Sequence, residues 1–220
     1  MTRRCSQRAR ALVRDRDFDA LLPDALRIHS ARHFTPVPVA RRAARLLVDR
    51  PGACILDVGS AIGKFCVVGA ATTDGVFVGV EQRPHLVGVA TALADALALR
   101  NVAFFQADIV DVDWSPFDGF YLFNPFVEYV PSATDPIDDT LTLDPAYYPF
   151  YVGFVRQRLA QARSGTRVVT YHGFGAEPPE GYVLKADEAC GSDRLQLWVK
   201  AYSVQRRPGT DRGRFDPAIQ

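Results

Sequence analysis

The sequence predicts an α/β fold: a mostly parallel, twisted sheet with helices on both faces and an antiparallel hairpin at its C-terminal end. Three observations predict it. Short apolar runs alternate with helix-period segments from residue 53 to residue 171, the rhythm of parallel strands joined by helical crossovers. The first apolar run ends in Asp57 and a glycine turn, Gly59-Ser60-Ala61-Ile62-Gly63, which opens a helix-like segment. Four successive strands end in polar side chains, Asp57, Glu81, Asp108 and Asn124. Parallel strands present such ends along one rim, where open α/β sheets hold their ligands.

The elements follow in order. Segments 6–16 and 18–33 read as two short helices split by the charged turn 15–17, with Leu12, Phe18, Leu21, Leu22 and Leu26 on their apolar faces. Pro36 and Pro38 stop the second, and Pro38 suits the first turn of a helix over 39–49. Strands are expected at 53–57, 76–80, 102–106 and 119–123, with helices at 63–71 and 84–99 between them. Segment 128–147 carries Pro131, Pro136 and Pro145 among aspartates and lacks periodicity. So long a loop inside a compact domain is functional or disordered, and with Tyr129, Tyr147, Tyr148 and Tyr151 it reads equally as a substrate wall or a surface loop. A helix at 148–162, a strand at 167–171 and a hairpin of 182–186 with 195–202 across Gly191-Ser192 complete the sheet. The division is an N-terminal helical extension (1–50), one ligand-binding domain (51–205) and a frayed tail (206–220).

Composition bounds the partners. With 220 residues, 48% apolar content and a net charge of +1, the chain supports one sizeable core and gives no global argument for nucleic acid. The basic residues are uneven, however: Arg3, Arg4, Arg8, Arg10, Arg14 and Arg16 crowd the start. A solvated helix face is the plainer reading, and contact with an acidic partner such as RNA the alternative. The cysteines show no C-x-x-C pair and no metal-ligand spacing. Cys54 and Cys66 are expected to be buried small hydrophobes, and reduced thiols suggest the cytoplasm. No apolar run approaches the roughly 20 residues of a membrane span, and no apolar segment after the arginine-rich start suggests a secretory signal.

Each rim residue also has a plain structural role. Asp57 suits a strand-end turn, Glu81 and Asp108 suit helix N-caps, Asn124-Pro125-Phe126 suits a turn capping its strand, and His172 suits a hydrogen-bonded loop position. Taken as a set, they resemble the class I S-adenosylmethionine-dependent methyltransferases, a Rossmann-like family. Asp57-Val58-Gly59-Ser60-Ala61-Ile62-Gly63 resembles the family's D-x-G-x-G-x-G motif, with Ala61 where the middle glycine is usual. Glu81 matches the acid ending the second strand, and Asp108 the third motif. Asn124-Pro125-Phe126 resembles the signature of members that methylate nitrogen. Phe34-Thr35-Pro36 resembles a cofactor-packing segment of amino-group methyltransferases. The pattern is also similar to telomeric-silencing-type lysine methyltransferases and their bacterial relatives.

The resemblance implies S-adenosylmethionine as cofactor. Asp57 would face its ammonium, Gly59, Ser60, Ala61 and Gly63 its methionine end, Glu81 and Gln82 its ribose, and Asp108 and Ile109 its adenine. Phe34 and Thr35 would close over it. Asn124, Pro125 and Phe126 would position an acceptor nitrogen on a protein, RNA or small molecule, with Asn124 also among the residues that touch the cofactor. The alanine methyl at position 61 fits the turn if its φ is negative. Two other readings stand beside this one: a catalytically silent protein of the same fold, and a nicotinamide-dependent oxidoreductase, since a glycine turn with an acid about 20 residues on also suits a dinucleotide.

Overall fold

The computed structural model describes residues 12–131 and 133–202. The basic stretch Arg3–Arg10 and the tail 206–220 lie outside the described residues. Helices are α1 (Asp15–Asp19), α2 (Asp24–Arg27), α3 (Ser30–His33), α4 (Val37–Leu47), α5 (Lys64–Thr72), α6 (Pro84–Ala96) and α7 (Tyr147–Gln161). Strands are β1 (Cys54–Val58), β2 (Val76–Glu81), β3 (Val102–Gln106), β4 (Gly119–Phe123), β5 (Arg167–Tyr171), β6 (Tyr182–Cys190) and β7 (Asp193–Lys200). They form one seven-stranded sheet in the order β3-β2-β1-β4-β5-β7-β6. β1 to β5 run parallel, and β7 enters antiparallel between β5 and β6.

Alternation along each strand divides the core between the two faces. On one face Ile55, Phe77, Tyr121 and Val169 pack on the apolar stripe Val37, Ala40, Ala43, Ala44 and Leu47 of α4 and on Phe65 and Val68 of α5. On the other, Leu56, Val80, Phe120, Leu122 and Val168 meet Trp114, Phe117 and the α7 side chains Tyr151, Val155 and Leu159. Each such side chain stabilises the fold by roughly 1.5–3 kcal/mol relative to exposure. Asp57 shares the parity of Ile55, so it points toward α5, where the Cys66 thiol donates to its Oδ2 at 3.5 Å.

Several sequence expectations need correction. The segment 18–33 is not one helix: Pro23, with ψ 145°, interrupts it, and the chain continues as α2 and α3. Residues 15–17, expected as a turn, begin α1. The fourth helix starts at Val37 rather than 39 because the Asp15 carboxylate accepts its first N–H at 2.9 Å, a cap supplied from far along the chain. Helix 84–99 ends at Ala96, since Ala98 takes φ 51°. In the hairpin, β6 runs on to Cys190 rather than 186 and β7 spans 193–200 rather than 195–202, with a register shift between Leu184 and Ala186. Cys66 is buried but Cys54 is half-buried.

Candidate functional site

The topology brings the polar strand ends of β1, β2, β3 and β4 to one rim. At its centre, the turn after β1 is held to β2: the Gly59 and Ser60 N–H groups both donate to the Val80 carbonyl, at 3.0 and 2.9 Å. Gly59, Ala61 and Gly63 all have positive φ, at 73°, 46° and 71°. The negative φ that would suit Ala61 is therefore not what the turn adopts, and a side chain stands where L-residues are strained. Gly63 has no alternative, because a Cβ there would lie 2.4 Å from the Phe104 ring. A Cβ on Gly59 would lie 3.4 Å from Pro125, so the turn and the Asn-Pro-Phe segment are packed against each other.

Glu81 closes the second strand, buried, with both carboxylate oxygens in use. Oε2 accepts the Ala61 N–H and Oε1 the Arg83 N–H, each at 3.0 Å. Burial pushes its carboxyl up, against those amides and the nearby Arg83 charge. Burial also pushes Asp57 up to about 7, opposed by the Cys66 thiol and reinforced by Glu81. Asp108 is both rim acid and N-cap: Oδ1 accepts the Val110 N–H at 3.1 Å. Its Oδ2 accepts the Tyr151 hydroxyl at 2.6 Å and the Gln82 amide at 3.0 Å. Ile109, buried beside it, lines a rim cavity that Asp108 itself does not line.

Two cavities open on this rim. The larger, about 110 Å³, runs from Glu81, Gln82 and Ile109 to Asn124, Pro125 and Phe126. The smaller, about 30 Å³, is lined by Asp57, Ser60, Lys64, Phe34 and Thr35. Gly59, Ala61, Phe123 and His33 line both, so the two adjoin there, whereas Asp108 and Gly63 line neither. Phe34 and Thr35 are buried against the sheet, with the Thr35 hydroxyl 3.2 Å from that of Tyr121. Asn124 takes φ 45°, a region where asparagine is the tolerated side chain. Phe126 stacks on Tyr151, ring centroids 5.0 Å apart, as part of the core.

Several residues of the site escape local sequence patterns. Tyr129 and Tyr151, from the stretch that reads equally as a substrate wall or a surface loop, hold Gln82 and Asp108, and Tyr129 also lines the larger cavity. The Arg83 guanidinium is 3% exposed and held by Glu128 and Asp138 at 3.0 Å each. Lys64 is 2% exposed and pairs with Asp15 at 2.7 Å and Asp19 at 3.2 Å, with the Ser30 hydroxyl at 3.0 Å. Their positions directly after Gly63 and two residues after Glu81 are the one signal the sequence offered. His172 is a hydrogen-bonded loop residue, its Nδ1 3.0 Å from Asp193 and its Nε2 3.0 Å from the Ser192 hydroxyl. Chemically, the rim offers carboxylates for a cation and for hydroxyl or amine donors, beside a backbone turn that lets a ligand approach closely.

No protein-family model matches the sequence, and no curated protein does. Solved structures do match. An RNA methyltransferase from Salinibacter ruber, in complex with S-adenosyl-L-homocysteine, superposes with a TM-score of 0.53 at 21% identity, over 79% of this chain and 97% of that one. TrmN from Thermus thermophilus gives 0.56 at 21% identity over 78% of this chain, which spans about half (51%) of TrmN. The magnesium protoporphyrin IX methyltransferase ChlM from Synechocystis PCC 6803, with bound SAM, gives 0.53 at 14% identity, over 74% and 78% of the two chains. The strand order, the single rim of strand ends and these likenesses give the chain the fold of the class I methyltransferases.

Proposed function

We propose that this chain transfers a methyl group from S-adenosylmethionine to a nitrogen atom of its acceptor. One observation carries the reading: Asp57, Glu81, Ile109 and Asn124 line two adjoining cavities beside a glycine turn that packs on Pro125. The donor set suits the cofactor. Asp57, without a cationic partner among its hydrogen bonds, answers an α-ammonium. Glu81 has lone pairs left for a ribose diol, and Asp108 can accept an adenine amine. The structural neighbours named above, one carrying S-adenosyl-L-homocysteine and another SAM, support the same choice.

When bound, the sulfonium supplies an electrophilic methyl group. This chain's task is then to hold a nucleophile in line with it and keep water out. Asn124 and the Pro125 carbonyl can accept two N–H bonds from an amino group, which aims its lone pair. Phe126, anchored on Tyr151, supplies a fixed apolar wall. Phe34 and Thr35 seal the methionine end.

Calorimetry with S-adenosylmethionine and S-adenosylhomocysteine tests the reading. Binding of both is expected, with Glu81→Gln weakening it by about 1–3 kcal/mol. Asn124→Ala should retain the cofactor and lose turnover. Stabilisation by NADH alone would contradict the assignment. A second reading, a protein of this fold that performs no transfer, draws on the Asp108 Oδ2 atom, which Tyr151 and Gln82 already engage. It predicts no binding at high micromolar cofactor.

A further inference from the structure

We propose that His33 accepts the proton of a protonated alkyl amine seated at Asn124, so that the acceptor is an ammonium group rather than a neutral ring or amide nitrogen. The inference rests on the methyl-transfer reading above.

His33 ends α3 and lines both cavities, at the junction formed with Gly59, Ala61 and Phe123. These residues stand between the Asp57 end and the Asn124-Pro125-Phe126 end, the boundary a transferred methyl group has to cross. Among the described residues lining the cavities, the other ionisable groups are engaged or assigned. Glu81 accepts two amides. Glu128 and Arg83 are paired, Lys64 holds Asp15 and Asp19, and Arg32 holds Asp135 at 2.6 Å. The Tyr129 hydroxyl donates to Gln82. Asp57 is the counter-charge for the ligand's own ammonium. His33 remains.

Its surroundings favour the neutral ring with a free lone pair, while making it a weaker base than an ordinary imidazole. Burial lowers the imidazole below its ordinary value, and the neighbouring His29 and Arg32 lower it further. Glu128 and the Asp135 backbone act in the opposite sense. The ring therefore starts neutral at neutral pH, and the Glu128 charge favours the imidazolium once formed. An alkyl ammonium, with an ordinary pKa of about 10.4, has no lone pair until it loses a proton. One N–H proton passes to a His33 ring nitrogen. The freed nitrogen lone pair forms the N–C bond to the methyl carbon as the C–S bond breaks, its electrons remaining on sulfur. His33 then returns the proton to solvent.

Two measurements on the full chain test this. In the first, protein labelled with ¹⁵N-histidine and saturated with S-adenosylhomocysteine is titrated with and without n-butylammonium. The resonance lost in His33→Gln should titrate below about 6.5 and fall further when the amine is present. A resonance that titrates higher, or ignores the amine, overturns the proposal. In the second, methyl transfer from S-adenosylmethionine is followed on n-butylamine and on poly-L-lysine, which separate a free amine from a peptide side chain, with adenosine as the neutral-nitrogen control. His33→Gln should lose about 100-fold in kcat near pH 7, keep its cofactor affinity, and recover as pH approaches the amine's own pKa. Transfer to adenosine alone, transfer to none of the three with cofactor bound, or an unchanged pH profile in His33→Gln overturns it. Failure to bind cofactor at all strikes the underlying reading instead.

Discussion

Burial holds the Asp57 carboxyl at about 7, above its unfolded value of about 3.9. Between those values the native state keeps a proton that the unfolded chain releases, so Asp57 makes stability fall as pH rises from about 4 to about 7. Asp57→Asn removes that slope. Urea midpoints should show the variant gaining on the native chain across this window, by on the order of 4 kcal/mol at pH 8, with little difference below pH 4. The same substitution should weaken S-adenosylmethionine, because the amide no longer opposes an ammonium. Equal midpoints at pH 8 would mean that Asp57 is better solvated than its 4% exposure implies. Ala61 offers the reverse case. Its φ of 46° costs an L-residue about 1–2 kcal/mol, and glycine returns part of that as chain entropy. Ala61→Gly should therefore stabilise by about 0.5–1 kcal/mol, read as a shift in denaturant midpoint at constant slope.

At the scale of elements, the strand ends were legible because the signal is local. An apolar run of five or six residues followed by an acid and a helix start places Asp57, Glu81 and Asp108 without any knowledge of contacts. What closes the rim was not legible, because it comes from far along the chain. Tyr151 reaches Asp108 from α7, and Asp15 and Asp19 of α1 reach Lys64 at the start of α5. The short N-terminal helices were misread as longer ones because Leu21, Leu22 and Leu26 keep helical spacing across Pro23. The first hairpin strand reads short in the sequence because Asp187 and Glu188 look unlike strand residues, although β6 lies at the sheet edge and tolerates them. The Lys64 cluster also bears on stability. Its ammonium joins α1, α3 and α5 and lies 5.2 Å from the Phe18 ring. Lys64→Met leaves two carboxylates facing an apolar site, a loss of about 3–5 kcal/mol for breaking a buried pair. Hydrogen exchange should quicken first at the Val37 amide, which Asp15 caps. Unchanged exchange there would show that α1 is held by packing alone.

Across the whole molecule, the N-terminal helices share the core of the sheet. Leu12, Phe18, Leu22 and Phe34 are buried in the cluster that contains Ile55, Phe77, Tyr121 and Val169. Cross-ties reinforce that packing from three directions: Lys64 to Asp15, Arg32 to Asp135, and Arg42 to Glu188 on the far hairpin. An appended module would unfold by itself and leave the sheet intact, whereas a shared core makes unfolding one event. Phe18→Ala separates the two. Phe18 is fully buried, and its truncation should cost about 3–5 kcal/mol of global stability. The loss should appear equally in the exchange of β1 and β4 amides and in that of α1. It should also lower affinity for S-adenosylhomocysteine, since Phe34 and Thr35 reach the rim on the same stretch of chain. Faster exchange confined to residues 12–36, with β1 and β4 unaffected, would instead mark the N-terminal helices as a separate cooperative unit lying on a finished domain.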